Sequence, residues 1–214
     1  MKKIVLIGDS IRMGYDKYVK EALDGVAEVY YPEENCRFAQ YTLRFLHEWK
    51  HKGKWPDDVD LVHWNVGLWD VCEIFGEEPI SSPAHYAEML TRIDRRIRML
   101  FPKAKVVFAT STAVREDGYK GQFHRYNATI EQYNKIALDT LAGTETTFND
   151  LYAHTKDIAP ECCSDMTHYN TPVGAAYMGN KVLSVICKAL DISAAEVNVE
   201  SFALERYSAD NIGR

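Results

Sequence analysis

The sequence has no long apolar run. Only four apolar residues follow Lys3 before the first Gly-Asp-Ser, too few for the core of a signal peptide, and no later run approaches the length of a membrane span. Its cysteines are few, odd in number and without the spacing of a zinc or redox motif: Cys36, Cys72, Cys162, Cys163 and Cys187. We therefore expect reduced thiols, a cytoplasmic location and no membrane partner.

An excess of positive charge is also missing. The chain has 25 Lys and Arg against 31 Asp and Glu, a formal net charge of -6. A protein of this sign has no general attraction to nucleic acid or to an anionic membrane surface, so we expect no nucleic-acid partner. The arginines between positions 92 and 98 stand at helical spacing beside apolar residues, which indicates the solvated face of an amphipathic helix.

Short apolar runs instead alternate with segments of helical periodicity along the 214 residues. This alternation is typical of α/β folds. It predicts one domain over residues 1–190, with five strands in a doubly wound parallel sheet whose carboxyl ends carry the functional loops. The strands are expected at Ile4–Ile7, Val26–Tyr31, Leu61–Val66, Lys105–Thr110 and Thr146–Phe148. Residues 191–214 lose the periodicity, and we expect a tail that is either packed or flexible.

Two helix starts carry a clear capping signal. Ser81-Ser82-Pro83 precedes a long amphipathic segment that ends before Pro102. Thr171-Pro172 precedes another, which continues to Leu190. A small polar cap followed by proline in the first turn is a common way to begin a helix.

The first strand ends in Gly8-Asp9-Ser10, and two interpretations of this turn compete. Asp9 or Ser10 could simply cap the next helix, because both residue types favour such places for local reasons. Alternatively, Ser10 is displayed at the end of a buried strand as a nucleophile. That second role requires a histidine to remove the hydroxyl proton and a carboxylate to orient the histidine.

His168 is the histidine that best meets this requirement. It lies just before the last predicted helix, with Asp165 three residues upstream, near enough for a turn to place the carboxylate on Nδ1. Nε2 would then face Ser10 across the edge of the sheet. Most of the other histidines lie in or near predicted helices or a strand, whereas His154 sits in a polar stretch and is harder to exclude.

These residues carry a family resemblance. GDS after an N-terminal strand, with D-x-x-H near the C-terminus before a final helix, resembles the SGNH (GDSL-type) hydrolases, which are serine esterases and acylhydrolases. The resemblance covers about residues 1–190 and implies a three-layer α/β/α sandwich of the SGNH/flavodoxin-like type. It also implies Ser10 as nucleophile and Asp165 and His168 as its partners.

Two further blocks of that family match imperfectly. In the second block, Cys36 aligns with a glycine whose backbone N–H contributes to the oxyanion hole. The resemblance therefore implies an oxyanion hole made of the N–H groups of Ser10 and Cys36, since backbone donation survives a change of side chain.

The third block departs further from the family. The usual G-x-N-D is here Gly67-Leu68-Trp69-Asp70, so that Trp69 stands where the family has an asparagine donor. Asn65 and Asn35 are the candidates to replace the lost amide, and Gly67 is kept among the oxyanion-hole candidates. Loss of one such donor lowers turnover roughly 10²–10³-fold.

A substrate pocket is harder to locate in the sequence. Arg12 and Arg37 could bind an anionic substrate group, although an ion-paired or solvated role is at least as good an interpretation. Trp69 could line a pocket that stacks on a sugar or aryl group, while core packing remains the alternative. Asp9 and Asp70 are interpreted as residues that fix loops by accepting backbone N–H groups.

The expected function is hydrolysis of short-chain acyl esters through an acyl-enzyme, with O-acetyl groups on carbohydrate as one substrate class. No metal or organic cofactor is expected, and the partner is a small-molecule or carbohydrate ester. Homo-oligomer formation stays open. Two alternatives remain: metal-dependent phosphoester hydrolysis by Asp9, Asp70, Asp165 and His168, and a non-catalytic ligand-binding protein that kept the fold.

Overall fold

Five parallel strands form the centre of the computed structural model, which describes residues 1–200 and Phe202. The strands are β1 (Lys2–Ile7), β2 (Ala27–Tyr30), β3 (Leu61–Trp64), β5 (Lys105–Ala109) and β7 (Thr146–Asn149). Their order in the sheet is β2-β1-β3-β5-β7. Every neighbouring pair is parallel, with Ile4 opposite both Val29 of β2 and Leu61 of β3.

Helices cover both faces of this sheet. They are α1 (Ser10–Ala22), α2 (Ala39–Lys52), α3 (Pro83–Leu100), α4 (Asn127–Leu141), α5 (Leu151–Thr155) and α6 (Pro172–Leu190). Helix α1 packs against α6, while α3 packs against both α2 and α4. The three-layer α/β/α sandwich with a five-stranded, doubly wound parallel sheet is therefore confirmed.

Burial on both faces of the sheet explains why the central strands contain few polar residues. Residues Ile4–Ile7 of β1 are completely buried, as are Leu61 and Val62 of β3. Continuous apolar strands are typical of parallel sheets, because helices cover the two faces. The described residues include no helix that is both long enough and apolar enough to span a membrane.

The predicted caps of two helices are present. The Ser82 hydroxyl accepts the N–H of His85 at the start of α3, with Pro83 in the first turn. The Thr171 hydroxyl accepts the N–H of Gly174 at the start of α6, with Pro172 in the first turn. These caps satisfy N–H groups that have no partner inside the helix.

One element was absent from the sequence-based expectation. A small antiparallel sheet pairs β4 (Glu73–Ile74) with β6 (Phe123–His124). Because β4 follows the loop after β3 and β6 follows the loop after β5, this pair ties together two loops at the carboxyl edge of the main sheet.

The described part of the predicted tail lies against α1. The N–H of Ala195 donates to the carbonyl of Ala22, and the ring of Phe202 packs edge-on against Tyr18. Residue 201 and residues 203–214 of the predicted tail lie outside the described residues.

Candidate active site

The fold brings together three side chains from opposite ends of the chain. Ser10 begins α1 directly after β1, while His168 lies in the loop before α6. The Nε2 atom of His168 is 2.9 Å from the Oγ of Ser10, and its Nδ1 atom is 2.7 Å from Oδ2 of Asp165. This is the linear arrangement of carboxylate, imidazole and hydroxyl that activates a serine.

Asp165 also holds the loop that carries His168. Its Oδ1 accepts the backbone N–H groups of Thr167, at 2.6 Å, and of His168, at 2.8 Å. Partial burial raises the pKa of this carboxyl, but the hydrogen bond from the imidazole, its charge and the two N–H donors lower the pKa by more, to about 2. An ionised carboxylate can only accept, so Nδ1 of His168 donates a proton to it, and in the neutral imidazole Nε2 is then the acceptor that faces Ser10.

A tight packing arrangement fixes the turn before Ser10. The Oδ1 atom of Asp9 accepts the N–H of Ile11 and the side-chain N–H of Asn65. A Cβ atom on Gly8 would lie 2.0 Å from Oδ1 of Asn65 and 2.7 Å from the Cβ of Arg12. Only glycine therefore allows this close approach between the turn and its neighbours.

The N–H of Ser10 is free to contribute to an oxyanion hole. No acceptor among residues 1–200 and Phe202 binds this N–H, and it belongs to the first residue of α1, where the helix dipole is positive. A negative oxygen that develops next to Oγ of Ser10 would be stabilised by both features.

The expected role of Cys36 in the oxyanion hole is wrong for this structure. Its backbone N–H donates to the carbonyl oxygen of Gly8 at 3.2 Å and so is already bonded. The neighbouring N–H of Arg37 donates to Oδ1 of Asn35, and Arg37 itself adopts a left-handed backbone conformation. The Cys36 thiol is completely buried, which raises its pKa to about 12.

The two asparagine candidates contact nearby loops in different ways. Asn65 donates a side-chain N–H to Oδ1 of Asp9, whereas the side-chain oxygen of Asn35 accepts the backbone N–H of Arg37. A role of either amide N–H in the oxyanion hole stays a prediction. Gly67 lies at the carboxyl end of β3 with a φ of 141°, and a Cβ there would lie 2.3 Å from the Oγ of Ser111. These residues shape the edge of the sheet around Ser10.

Asp70 fixes a loop, as expected from its position after a strand. Its carboxylate accepts the N–H of Ala39 at the start of α2 and the hydroxyl of Ser81. Burial raises the pKa of Asp70 to about 7, although both hydrogen bonds act in the opposite direction. Across the part of the chain that the structure describes, no group of three His, Cys, Asp or Glu side chains is placed to share a metal ion.

The chain was compared with known protein families, with curated proteins and with solved structures. No protein-family model matches the chain, and no curated protein matches its sequence. Solved structures do match: a lipase/acylhydrolase from Enterococcus faecalis is 22% identical, with a TM-score of 0.66 over 92% of this chain and 100% of that chain. The chain has the three-layer α/β/α fold of this structure, the SGNH/flavodoxin-like type. 

Two further solved structures share this fold. A carbohydrate esterase family 3 protein from Talaromyces cellulolyticus is 16% identical, with a TM-score of 0.65 over 90% of this chain and 100% of that chain. A GDSL-like lipase from Bacteroides thetaiotaomicron is 16% identical, with a TM-score of 0.66 over 88% of this chain and 89% of that chain.

Arg12 is buried in the interior of the fold. Its side chain is 1% exposed, forms an ion pair with Asp16, and donates to the carbonyl oxygens of Gly8 and Glu34. The expectation that Arg12 binds a substrate anion is therefore wrong, because its charge is already neutralised in the interior. Arg37 is half-buried, with its guanidinium over the ring of Tyr41.

A buried arginine beside the site was not found from the sequence. Arg125 follows β6, and its guanidinium lies 5.9 Å from the ring centroid of the half-buried Trp69. Its Nε donates to the carbonyl of Leu68 at 2.5 Å. Two-residue strands such as β6 have no detectable periodicity, so no sequence pattern placed Arg125 next to the loop after β3.

Proposed function

We propose that the protein is a serine ester hydrolase of the SGNH family. The observation that carries the proposal is the pair of contacts made by His168, 2.9 Å to Oγ of Ser10 and 2.7 Å to Asp165. A hydroxyl bonded to an imidazole that a carboxylate orients is the arrangement that converts a weakly nucleophilic serine into a nucleophile. The shared fold of structures described as lipases and esterases supports the same reaction class.

The reaction would proceed by acyl transfer in two halves. Nε2 of His168 takes the proton of Ser10 while Oγ attacks the ester carbonyl carbon, and the imidazolium formed is stabilised by Asp165. The N–H of Ser10 and the start of α1 stabilise the oxyanion. His168 then gives its proton to the departing alcohol, and water repeats the sequence on the acyl-enzyme to release the acid.

The proposed substrate class is based on solved structures that share this fold. One of the solved structures of this fold is described as an acetyl xylan esterase and another as a carbohydrate esterase. We therefore propose short acyl esters, with O-acetyl groups on carbohydrate among them. The cytoplasmic location remains a prediction from the cysteines, all five of which are free.

Hydrolysis of p-nitrophenyl acetate tests the proposal. We expect Ser10→Ala and His168→Ala each to lower kcat by more than about 10³-fold, and the double variant to lose no more than either single variant, because the two groups act as a unit. Matched controls are Ser184→Ala and His51→Ala, which change exposed residues of the same types. Retention of activity by Ser10→Ala, or equal losses in the controls, would contradict the proposal.

A further inference from the structure

Two arginines are buried among the described residues, and they differ in how their charge is balanced. Arg12 forms an ion pair with Asp16. Arg125 is 5% exposed and has no carboxylate of the described residues within ion-pair distance. A buried charge without a counter-charge is costly, so an unpaired guanidinium at this depth calls for an explanation.

The hydrogen bonds of Arg125 go only to uncharged acceptors. Nε donates to the carbonyl of Leu68, whereas Nη1 makes two long contacts, 3.4 Å to the hydroxyl of Tyr119 and 3.5 Å to that of Thr167. No oxygen acceptor in the described part of the chain lies within hydrogen-bond distance of Nη2, and the thiol of Cys72 is a neighbour of the guanidinium. The two Nη groups are therefore weakly hydrogen-bonded.

This guanidinium lies between the two loops that border the nucleophile. Leu68 belongs to the loop at the carboxyl end of β3, the strand that pairs with β1 just before Ser10. Thr167 is the residue directly before His168. The positive charge of Arg125 acts on Asp9, next to Ser10, which places it within electrostatic reach of the reacting centre.

Aromatic rings hold the guanidinium in position. The ring of Phe123 lies 4.7 Å from its central carbon, and the ring of Trp69 lies 5.9 Å away. Rings over the faces of a guanidinium leave its N–H groups directed outward in the plane. The β4–β6 pair fixes Phe123 and thus the residue two positions later.

We propose that Arg125 binds a carboxylate group of the ester substrate. A planar carboxylate matches the two Nη groups of a guanidinium in a bidentate pair and would give Arg125 a direct ion pair, which the more distant Asp9 does not provide. This inference rests on the proposed ester hydrolysis and narrows its substrates to esters that carry a carboxylate on the acid or the alcohol half. Arg125 would then determine specificity, while Ser10, Asp165 and His168 perform the chemistry.

Two matched pairs of esters test this specificity. On the acid half, p-nitrophenyl monosuccinate is compared with p-nitrophenyl butyrate; on the alcohol half, 4-acetoxybenzoate is compared with its methyl ester. We expect the wild type to favour the charged ester in at least one pair. Arg125→Gln should lower kcat/KM for that ester about 10- to 100-fold, the effect of losing a charged hydrogen-bonded pair, and change the neutral ester less than about 3-fold.

Two further variants separate the roles of charge and shape. Arg125→Lys keeps a positive charge without the bidentate geometry, so we expect an intermediate loss confined to the charged ester. Arg92→Gln removes an exposed arginine on α3 and should change neither ester. An equal loss on charged and neutral esters in Arg125→Gln would overturn the inference, because it would place Arg125 at the oxyanion or in the fold instead.

Calorimetry of the wild type gives a readout that needs neither catalysis nor a folded variant. Succinate should bind and succinamide should not, because only the former carries carboxylates. Equal binding of the two, or no binding of succinate, would overturn the inference even if esters are hydrolysed. Absence of hydrolysis for all four esters with selective binding of succinate would contradict the esterase and leave the carboxylate site standing.

Discussion

Replacing Asp165 by asparagine separates orientation of the imidazole from stability of the loop. The amide oxygen can still accept the N–H groups of Thr167 and His168, which now lie 2.6 and 2.8 Å from Oδ1. The amide NH₂ then takes the place of Oδ2, 2.7 Å from Nδ1 of His168. Because two donors cannot face each other, Nδ1 becomes the acceptor and Nε2 carries the proton.

This wrong tautomer cannot accept the proton of Ser10. We therefore expect Asp165→Asn to lower kcat about 10⁴-fold, or about 5 kcal/mol in activation free energy, with KM little changed. Steady-state hydrolysis of p-nitrophenyl acetate measures both constants. Asp165→Ala should lose similar activity and also melt at a lower temperature, because it loses the two backbone hydrogen bonds. A loss below 10-fold in Asp165→Asn would refute the role of the carboxylate.

The same variant changes how stability depends on pH. The pKa of Asp165 falls from its ordinary value of 3.8 to about 2 in the folded chain. A lowered pKa stabilises the fold above pH 4 and loses that effect as the pH falls towards 2. We expect the difference in unfolding free energy between wild type and Asp165→Asn to shrink over this range in urea titrations. A constant difference would contradict the assignment.

Three other substitutions test the packing around the site. Gly8→Ala places a methyl group 2.0 Å from Oδ1 of Asn65 and should cost about 1–3 kcal/mol of stability and most of the activity; an unchanged melting temperature would contradict the close approach. Asp16→Asn leaves the guanidinium of Arg12 buried and unpaired, which should cost about 3–5 kcal/mol in urea unfolding; a change below 1 kcal/mol would argue that the pair is solvated. Burial raises the pKa of the Asp70 carboxyl to about 7, so its contribution to the unfolding free energy is complete below pH 4 and is lost as the pH rises through 7. Asp70→Asn should remove this part of the pH dependence of the unfolding free energy. Identical pH profiles for the wild type and Asp70→Asn would contradict the raised pKa.

Local signals were sufficient for most of the fold. The apolar run Ile4–Ile7 predicted β1 because a strand that is buried on both faces has a continuous series of apolar residues. The cap-and-proline pairs at Ser82-Pro83 and Thr171-Pro172 predicted the starts of α3 and α6 because capping depends on adjacent residues. The parallel, doubly wound sheet was predicted from the alternation of strand-like and helix-like segments.

Pairing between distant segments could not be predicted in the same way. Strands β4 and β6 are two residues each and are separated by nearly fifty positions, so neither has a periodic pattern of its own. The position of Arg125 depends on that pairing. Its burial beside Trp69 therefore depends on tertiary structure, and no local motif surrounds it.

The same contrast between local sequence signals and tertiary contacts applies to the candidate site. Ser10 could be proposed from sequence because it follows the first strand directly, and His168 because Asp165 lies three residues upstream in the loop before the last helix. The resemblance to the SGNH hydrolases connected these residues. Cys36 could be aligned with a donor position, but the carbonyl of Gly8 that occupies its N–H becomes visible only in three dimensions. Arg12 was considered for binding a substrate anion, with an ion-paired or solvated surface role as the alternative, whereas Asp16 one helical turn later forms an ion pair with it in the interior.

Covalent labelling of the nucleophile tests the central claim most directly. Wild type, Ser10→Ala and His168→Ala are incubated with diisopropyl fluorophosphate and their intact masses are measured, with Ser184→Ala as the control for loss of a serine. We expect a single adduct on Ser10 of the wild type and the control, no adduct on Ser10→Ala, and strongly slowed labelling of His168→Ala. An unlabelled wild type, or an adduct that persists in Ser10→Ala, would contradict an activated serine at this position.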